Sequence, residues 1–561
     1  MIGSDRYARR YFKQRVGHGR PLPNPSPSSR PTASSVVLEV QLGISIPSEL
    51  FFRVERVFTP GIRKTMPAGS GPFEGVDVEP TTSTPLLAST SQRAVNRFEA
   101  GDLDNPRNWP SWRKWLIVAV ITPIDLSVSW GASGFSPASA SFQAEFGLSE
   151  NVATLGLSLY ILGLALGPMS LAPLSEFFGR SVIYIGSYAV FLVLLAATAL
   201  IKSVCGFMVL RFFSGLFAAV TIANFGGTIA DMWTHHETGI AMSIYLWAAT
   251  CGSPSGFFAM SFVAEHNGWR EVFWALLGIC GGFWLLMALT IRETRHTTIL
   301  RRRAKAIDRN AVDESGGIKP PPLQRRSAHE LFHVALTRPF RFLFTEAIVV
   351  FGALYNGYLY GLSFLFNGAF HMVFGEGHGF STIGVGCAFL GIAIGISVGP
   401  FTNLWQERYY RKCLASAGNA AVPEARLQLS MVAAVVSLFL FAWTTDASIP
   451  PIVPVVASGL WGWSFYTLIL MTFQYTEDAY RVYSASALAG IGLIRNIAGA
   501  AFPLFGRHLF EKLGYQWGPS LLAFLSVALI PIPFVLVRFG STLRKNSPWA
   551  SQHMDEDAED E

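Results

Sequence analysis

Four ionisable residues stand in or against long apolar runs: Asp125, Arg211, Glu346 and Arg495. A charge in hydrocarbon costs at least ~2.5 kcal/mol, so each of them needs a partner or a wet cavity. Asp125 falls near the middle of its run. Burial disfavours the charged form of a carboxylate, which makes Asp125 a candidate to hold a proton or a cationic ligand. Glu346, nearer the inner end of its run, is a second candidate. The alternative is a buried structural pair, Asp125 with Arg211 or with Arg495. Arg211 either faces a cavity and tunes the carboxylate or lies near the surface and snorkels. A second group lies between runs: Glu176 and Arg180 flank a turn and can form a breakable charge latch, and Asp231 is a candidate partner for Arg180. A third group is aromatic: Tyr355, Tyr358, Tyr360, Trp461, Trp463, Phe465 and Tyr466. These could line a pocket for flat or cationic compounds through stacking and cation–π contacts, or serve as interfacial anchors. Tyr355, Trp461 and Arg495 are the candidate ligand-binding residues.

Searches for catalytic chemistry find nothing. There is no GxxxxGK[ST] phosphate loop, no HExxH and no GxSxG, so ATP hydrolysis, zinc proteolysis and acyl transfer are not expected, and neither is an enzyme. The pair His235–His236 beside Asp231 and Glu237 is a weak metal candidate. Five cysteines are scattered without a CxxC pair, which points to packing residues rather than a disulfide or zinc framework. No cofactor is expected.

The elements that must hold these residues follow from composition. The chain of 561 residues is 51% hydrophobic and only 14% charged, with mean hydropathy +0.36. Soluble domains carry about 25% charged residues. The deficit implies a polytopic membrane protein. Runs of about 20 apolar residues, the length that crosses a bilayer, predict twelve helices. They cover roughly 115–134, 152–172, 182–201, 206–230, 240–262, 271–291, 343–366, 382–404, 428–445, 450–473, 484–506 and 519–540. Lys and Arg number eighteen in the loops on one side and four on the other, which places both termini in the cytoplasm.

Residues 1–113 are polar, basic and rich in Pro and Ser, with no early apolar segment, and predict a disordered cytoplasmic tail. Its stretch 35–58 is more apolar and has no assigned role. Six helices then fill 114–291, a basic cytoplasmic linker covers 292–342, six more helices fill 343–540, and 541–561 form an acidic tail. The linker stretch 301–326 is a solvated segment or a contact for anionic lipid heads. No Asn-x-Ser/Thr acceptor with a permitted middle residue occurs.

Local motifs narrow the choice among transporter folds. APLSEFFGRS at 172–181 resembles the loop 2–3 signature of the major facilitator superfamily, in the form common in fungal drug:proton antiporters. Pro173, Leu174, Ser175, Glu176, Gly179 and Arg180 match. RFFSGLFAAVTIANFGG from Arg211 resembles the family's fourth-span motif, whose Arg is associated with proton coupling; the resemblance implies that role for Arg211. The fifth-span antiporter signature is degenerate. Gly252 and Gly256 survive before GWREVFW at 268–274, but Ser253 and Phe257 stand where Pro would be, and Met260 and Ser261 replace a Gly pair. NPRNWPSWRKW at 105–115, TEAIVVFGALYNGYLYGLSFLF at 345–366, PEARL at 423–427 and SASALAGIGLIRNIAGAAFPLFG at 484–506 resemble the fungal drug and polyamine antiporter group. The similarity covers about 105–545.

The resemblance implies an all-α fold of two six-helix halves around a cavity of alternating access. It implies proton-coupled efflux of drugs, toxins, polyamines or secondary metabolites by a monomer. The partners would be a small-molecule substrate, protons and the lipid bilayer, with no nucleic acid. The cell membrane is the expected location, with the vacuolar membrane second. The degenerate fifth-span motif keeps a nutrient or cation importer open, and the long tails keep a transport-inactive receptor or scaffold open.

Overall fold

The computed structural model describes Phe98 and residues 101–233, 237–304, 328–416, 433–446, 448–480, 483–529 and 531–551, all within the unit Thr82–Glu561. His235, His236, the stretch 35–58, PEARL, residues 305–327 of the linker and much of the tails lie outside the described residues.

Helices dominate. The first half holds α1 (Ser111–Ser133), the short α2 (Ser139–Phe146), α3 (Glu150–Phe178), α4 (Arg180–Leu200), α5 (Val204–Ala218), α6 (Val220–Met232), α7 (Gly239–Asn267) and α8 (Trp269–Thr290). The second half holds α9 (Ala328–Thr345), α10 (Ala347–Phe370), α11 (Thr382–Ser416), α12 (Ala433–Thr444), α13 (Ile452–Tyr480), α14 (Ser484–Leu529) and α15 (Pro531–Asn546). Among the described residues, ten helical stretches are long and apolar enough to cross a bilayer. The other two predicted spans are also helical. α7 is rich in Ser and Gly, and α12 has 12 described residues.

Several boundaries differ from the sequence reading. The predicted span 206–230 is interrupted between α5 and α6, where Ala219 leaves helical geometry. α10 starts only after Glu346, whose extended backbone separates it from the amphipathic α9. α14 is two helices joined at a kink at Gly514, whose φ of 79° is open to glycine at little cost, so the last two predicted spans are separate stretches, Ser484–Gly514 and Gln516–Asn546, each longer than its apolar run. Residues 102–110, read from sequence as the end of a tail, form a turn in which the Asn105 side chain accepts from the Arg107 N–H. Trp109 is buried there beneath the Arg113 guanidinium.

The two halves repeat one packing scheme. In the first, α1 packs on α7, α3 on α5 and α4 on α8; in the second, α10 packs on α14, α11 on α13 and α12 on α14. Glycines set the close approaches. A Cβ on Gly215 of α5 would overlap the Tyr160 backbone of α3, and one on Gly163 would overlap the Phe212 carbonyl. The second half repeats this notch, with Gly395 of α11 against the Gly459 carbonyl and Gly462 of α13 against the Ile392 carbonyl. Lipid offers no hydrophobic drive between helices, so such small-residue contacts carry much of the association. The halves meet through α3 with α14 and α7 with α11.

Candidate functional site

Residues of α3, α4, α6 and α7 from the first half and of α13 and α14 from the second line a cavity of about 220 Å³. Its lining runs from Arg495 and Asn496 on α14 and Tyr245 on α7 to Glu176, Arg180, Glu477 and Ser484 at the basic-loop end of the bundle. Between them the walls are small or apolar: Ala165, Met169, Ala223, Gly226, Leu488 and Leu493.

Arg495 is buried and lies over the rings of Tyr360 (4.8 Å) and Phe473 (5.4 Å). Its Nε finds no hydrogen-bond partner among the described residues, nor does Asn496 Oδ1 beside it. Asp125, 1% exposed on α1, faces Thr221 and Arg495, yet its Oδ2 is also without a hydrogen-bond partner there. Of the pairings anticipated for Asp125, the structure therefore brings it toward Arg495, across the boundary between the halves, without closing an ion pair.

Arg211 is placed elsewhere. It is fully buried, and its guanidinium donates to three carbonyls: Nε to Gly156 (2.8 Å), Nη1 to Gly131 (2.8 Å) and Nη2 to Ala132 (3.3 Å). The Tyr160 ring covers it at 4.5 Å. It does not snorkel; it clamps α1, α3 and α5 together. Glu346 also lies outside the cavity. It accepts from Tyr480 Oη (2.9 Å) and Ser547 Oγ (2.7 Å), tying α10, α13 and the C-terminal segment. Trp549 of that segment packs on Phe342 and Tyr483.

The charge latch has a different wiring from the one the turn alone suggests. Arg180 does not pair with Glu176. It pairs with Asp231 (3.2 Å), as the position of Asp231 suggested, and also donates to Ser175 Oγ and Asn224 Oδ1. Glu176 pairs with Arg295 at 3.6 Å, and Arg295 reaches Asp231 at 3.6 Å. Glu293, which the sequence reading passed over, accepts from the Arg180 N–H (2.9 Å) and from Ser181 Oγ (2.9 Å). Gly179 permits this turn through its φ of 106°, and a Cβ there would collide with the Glu293 carboxylate. His296 sits against the Asp231 carbonyl (3.0 Å), and burial holds its pKa below the ordinary histidine value despite the nearby Asp231 charge. Asp102 is held below the usual carboxylate range by the Asp104 N–H and then by Arg303.

The aromatic candidates separate. Tyr355 borders a small void with Met471, Thr472 and Ile532, away from the main cavity. Trp461 is buried, stacked on Phe465 (4.9 Å) and edge-on to Phe366 (4.7 Å). Phe465 continues to Tyr360, the ring beneath Arg495. Trp461 is therefore behind the cavity wall, and Tyr360, Phe473 and Tyr245 are the aromatics that reach the centre. Tyr360 stands out in the sequence among clustered aromatics, and Tyr245 and Phe473 do not. Their signal was only periodicity on α7 and α13, which many apolar residues share.

At the other end the halves are locked. Glu150 at the start of α3 is ion-paired with Arg507 on α14, Glu265 Oε2 accepts from the Ile383 N–H (2.7 Å), and Phe257 stacks on Phe389 at 4.2 Å. The surviving glycines of the fifth-span signature face α1: a Cβ on Gly252 would meet Ser129, and one on Gly256 would meet Ser133 and Trp130. The replaced positions include Phe257, which makes the stack on Phe389, and Ser261, which sits at Gly386.

This geometry of two repeated halves around a cavity closed at one end agrees with comparison to known proteins. The family model described as Major Facilitator Superfamily matches residues 124–503. The chain belongs to the major facilitator superfamily. This superfamily transporter is 34% identical to the major facilitator superfamily multidrug transporter mdrA of Aspergillus fumigatus, covering 80% of this chain and 75% of that protein. It is 33% identical to the efflux pump FUB11 of Gibberella moniliformis, with 81% and 77% covered. It is likewise 33% identical to the MFS-type efflux pump MFS2 of Trichophyton rubrum, with 80% and 76% covered. Its fold is similar to the human organic anion transporter MFSD10 (TM-score 0.53, 14% identity, 76% and 100% covered) and to the proton:xylose symporter XylE (TM-score 0.53, 15% identity, 77% and 96% covered). It is a multi-span membrane transporter and not an enzyme.

Proposed function

We propose that this transporter carries out proton-coupled efflux of small organic molecules such as drugs, toxins, polyamines or secondary metabolites, with Asp125 as the proton site. One observation carries the reading. A buried carboxylate with an unpartnered oxygen lies within electrostatic reach of Arg495, the buried cation on the wall of the cavity between the halves. A buried charge is retained against its desolvation cost where it does work. The cavity opens toward the basic loops, which the positive-inside rule puts in the cytoplasm, and cargo for export enters from there. The names of the fungal relatives support efflux. Arg211 and Glu346 are supports for the site, not its chemistry. The cell membrane is the proposed location; a vacuolar membrane would serve the same chemistry by sequestration.

The test is substrate-dependent proton movement in liposomes under an imposed pH gradient, with Asp125→Asn as the comparison. Dissipation by wild type and not by the variant supports the reading. Equal proton movement in both removes Asp125 from the mechanism. In cells, deletion that raises accumulation of the cargo supports efflux. Deletion that lowers it supports import instead, the direction that the degenerate fifth-span signature leaves open.

A further inference from the structure

We infer that the cargo is an organic anion: a flat apolar body bearing a carboxylate or similar oxyanion, which Arg495 binds. The inference rests on the central cavity being the transport site, and it names what that site selects.

Four charged residues line the cavity: Glu176, Arg180, Glu477 and Arg495. Three of them stand at its mouth. Arg180 is committed to Asp231, and Glu176 is paired with Arg295. Glu477 has a partner of its own. Among the described residues, the deep wall therefore presents a single charged lining residue, and it is a cation. Arg495 is 3% exposed, its Nε has no hydrogen-bond partner, and no ion pair joins it to Asp125. The rings of Tyr360 and Phe473 hold its guanidinium carbon by cation–π contact, while its Nε is left without a hydrogen-bond partner. A planar fork of donors matches the two oxygens of a carboxylate, and charge-assisted bonds of this kind are the strong ones. Asn496, also on the wall, has an unpartnered Oδ1 that accepts and so does not itself bind the oxyanion; it can take a hydroxyl or amide N–H of the cargo body. The apolar walls of Met169, Leu488, Leu493 and Phe473 suit an aromatic or aliphatic body. A cationic cargo would have to place its charge against Arg495 or displace the paired carboxylates at the mouth.

Three probes of one shape decide the charge: 2-naphthoate, 2-naphthamide and 2-naphthylmethylamine. Their binding to the full-length protein in lipid nanodiscs is measured by calorimetry at neutral pH. The expected order is carboxylate, then amide, then amine. The carboxylate should lead by about tenfold or more, the ratio that 1.4 kcal/mol of one extra charged contact produces. Arg495→Gln should abolish the lead and Arg495→Lys should keep part of it. Because Arg495→Gln leaves Asp125 without a facing cation, the double variant Asp125→Asn/Arg495→Gln guards against loss of folding and should also show no preference. Binding of the amine equal to or above the carboxylate overturns the inference. So does a carboxylate preference that survives in both Gln variants, or the lack of saturable carboxylate binding at millimolar concentration. Liposome flux separates the two claims. Anion binding without proton movement leaves the anion site standing and removes proton coupling. Proton-coupled flux of amines does the reverse.

Discussion

At the residue scale, an ionisable side chain in an apolar run announces itself, but not its task. Asp125, Arg211, Glu346 and Arg495 were all legible as costly and therefore purposeful. Which of them meet was not, because pairing depends on the rotation of each helix about its axis. A single sequence with Gly and Ser on several faces does not fix that rotation. The structure sorts them. Arg211 satisfies three carbonyls of α1 and α3, whereas Asp125 and Arg495 keep unpartnered atoms at the centre. Arg211→Ala should therefore behave as a folding variant. A charged donor bonded to a buried acceptor contributes on the order of 2 kcal/mol, and three orphaned carbonyls cost more than one. The expected result is a large fall in thermal stability and folded yield. Asp125→Asn should melt close to wild type and change proton movement instead. A normal melting curve for Arg211→Ala with lost flux would sink the clamp and restore Arg211 to the coupling machinery.

At the element scale, the spans themselves were readable because apolar length is a nearly sufficient signal in a bilayer. Their ends were not. The break at Ala219 and the late start of α10 at Ala347 leave hydropathy almost unchanged, so the sequence carries little mark of them. Packing between elements rests on notches that look like ordinary glycines. Gly215→Leu should separate α3 from α5 and lower the melting temperature sharply. Gly186→Leu, on an exposed stretch of α4 with nothing near its Cβ direction, should leave it unchanged. Equal effects at both positions would show that the α3–α5 notch is not a close contact. The latch beside Arg180 adds a pH dependence. Burial depresses the His296 pKa, so docking of this segment is fully supported above the ordinary histidine value of about 6.5 and is lost as pH falls through the lowered one. Hydrogen exchange at residues 293–304 should accelerate between neutral and mildly acidic pH, and His296→Gln should flatten that response. Glu176, Asp231 and the Glu293 carboxylate face the same segment, so a response that persists in the variant would reassign it to them.

At the scale of the whole molecule, alternating access requires that the closed end be held by contacts weak enough to break. Glu150, Arg507 and Glu511 have that character. Arg507 pairs across the halves with Glu150 and within α14 with Glu511 at 2.6 Å, so it keeps a partner when the halves separate. Both members of the cross-half pair are partly exposed, with side-chain exposures of 38% and 31%. Solvent screening limits such a pair to about 1 kcal/mol or less, which shifts a two-state population by about fivefold at most. That is the range in which a transporter can be biased without being jammed. In the sequence Arg507 counts only as one of four basic residues on the non-basic side, and Glu150 and Glu511 do not stand out. Nothing in one chain marks a contact between positions this far apart. Glu150→Gln should therefore raise the population open at this end by a few-fold. Spin-label distances between a site at the start of α3 and one on α14 near Arg507 read it directly, through growth of a longer-distance component. The swap Glu150→Arg with Arg507→Glu tests the pairing more strictly. It should restore the wild-type distribution only if the cross-half contact, and not the Arg507–Glu511 pair, sets the balance. In the swap, the carboxylate introduced at position 507 would face Glu511 in the same helix and find its one opposite charge across the boundary. A distribution unchanged by Glu150→Gln would move the closure onto the Phe257–Phe389 stack and the Glu265 contact, whose apolar and backbone character would make it insensitive to salt.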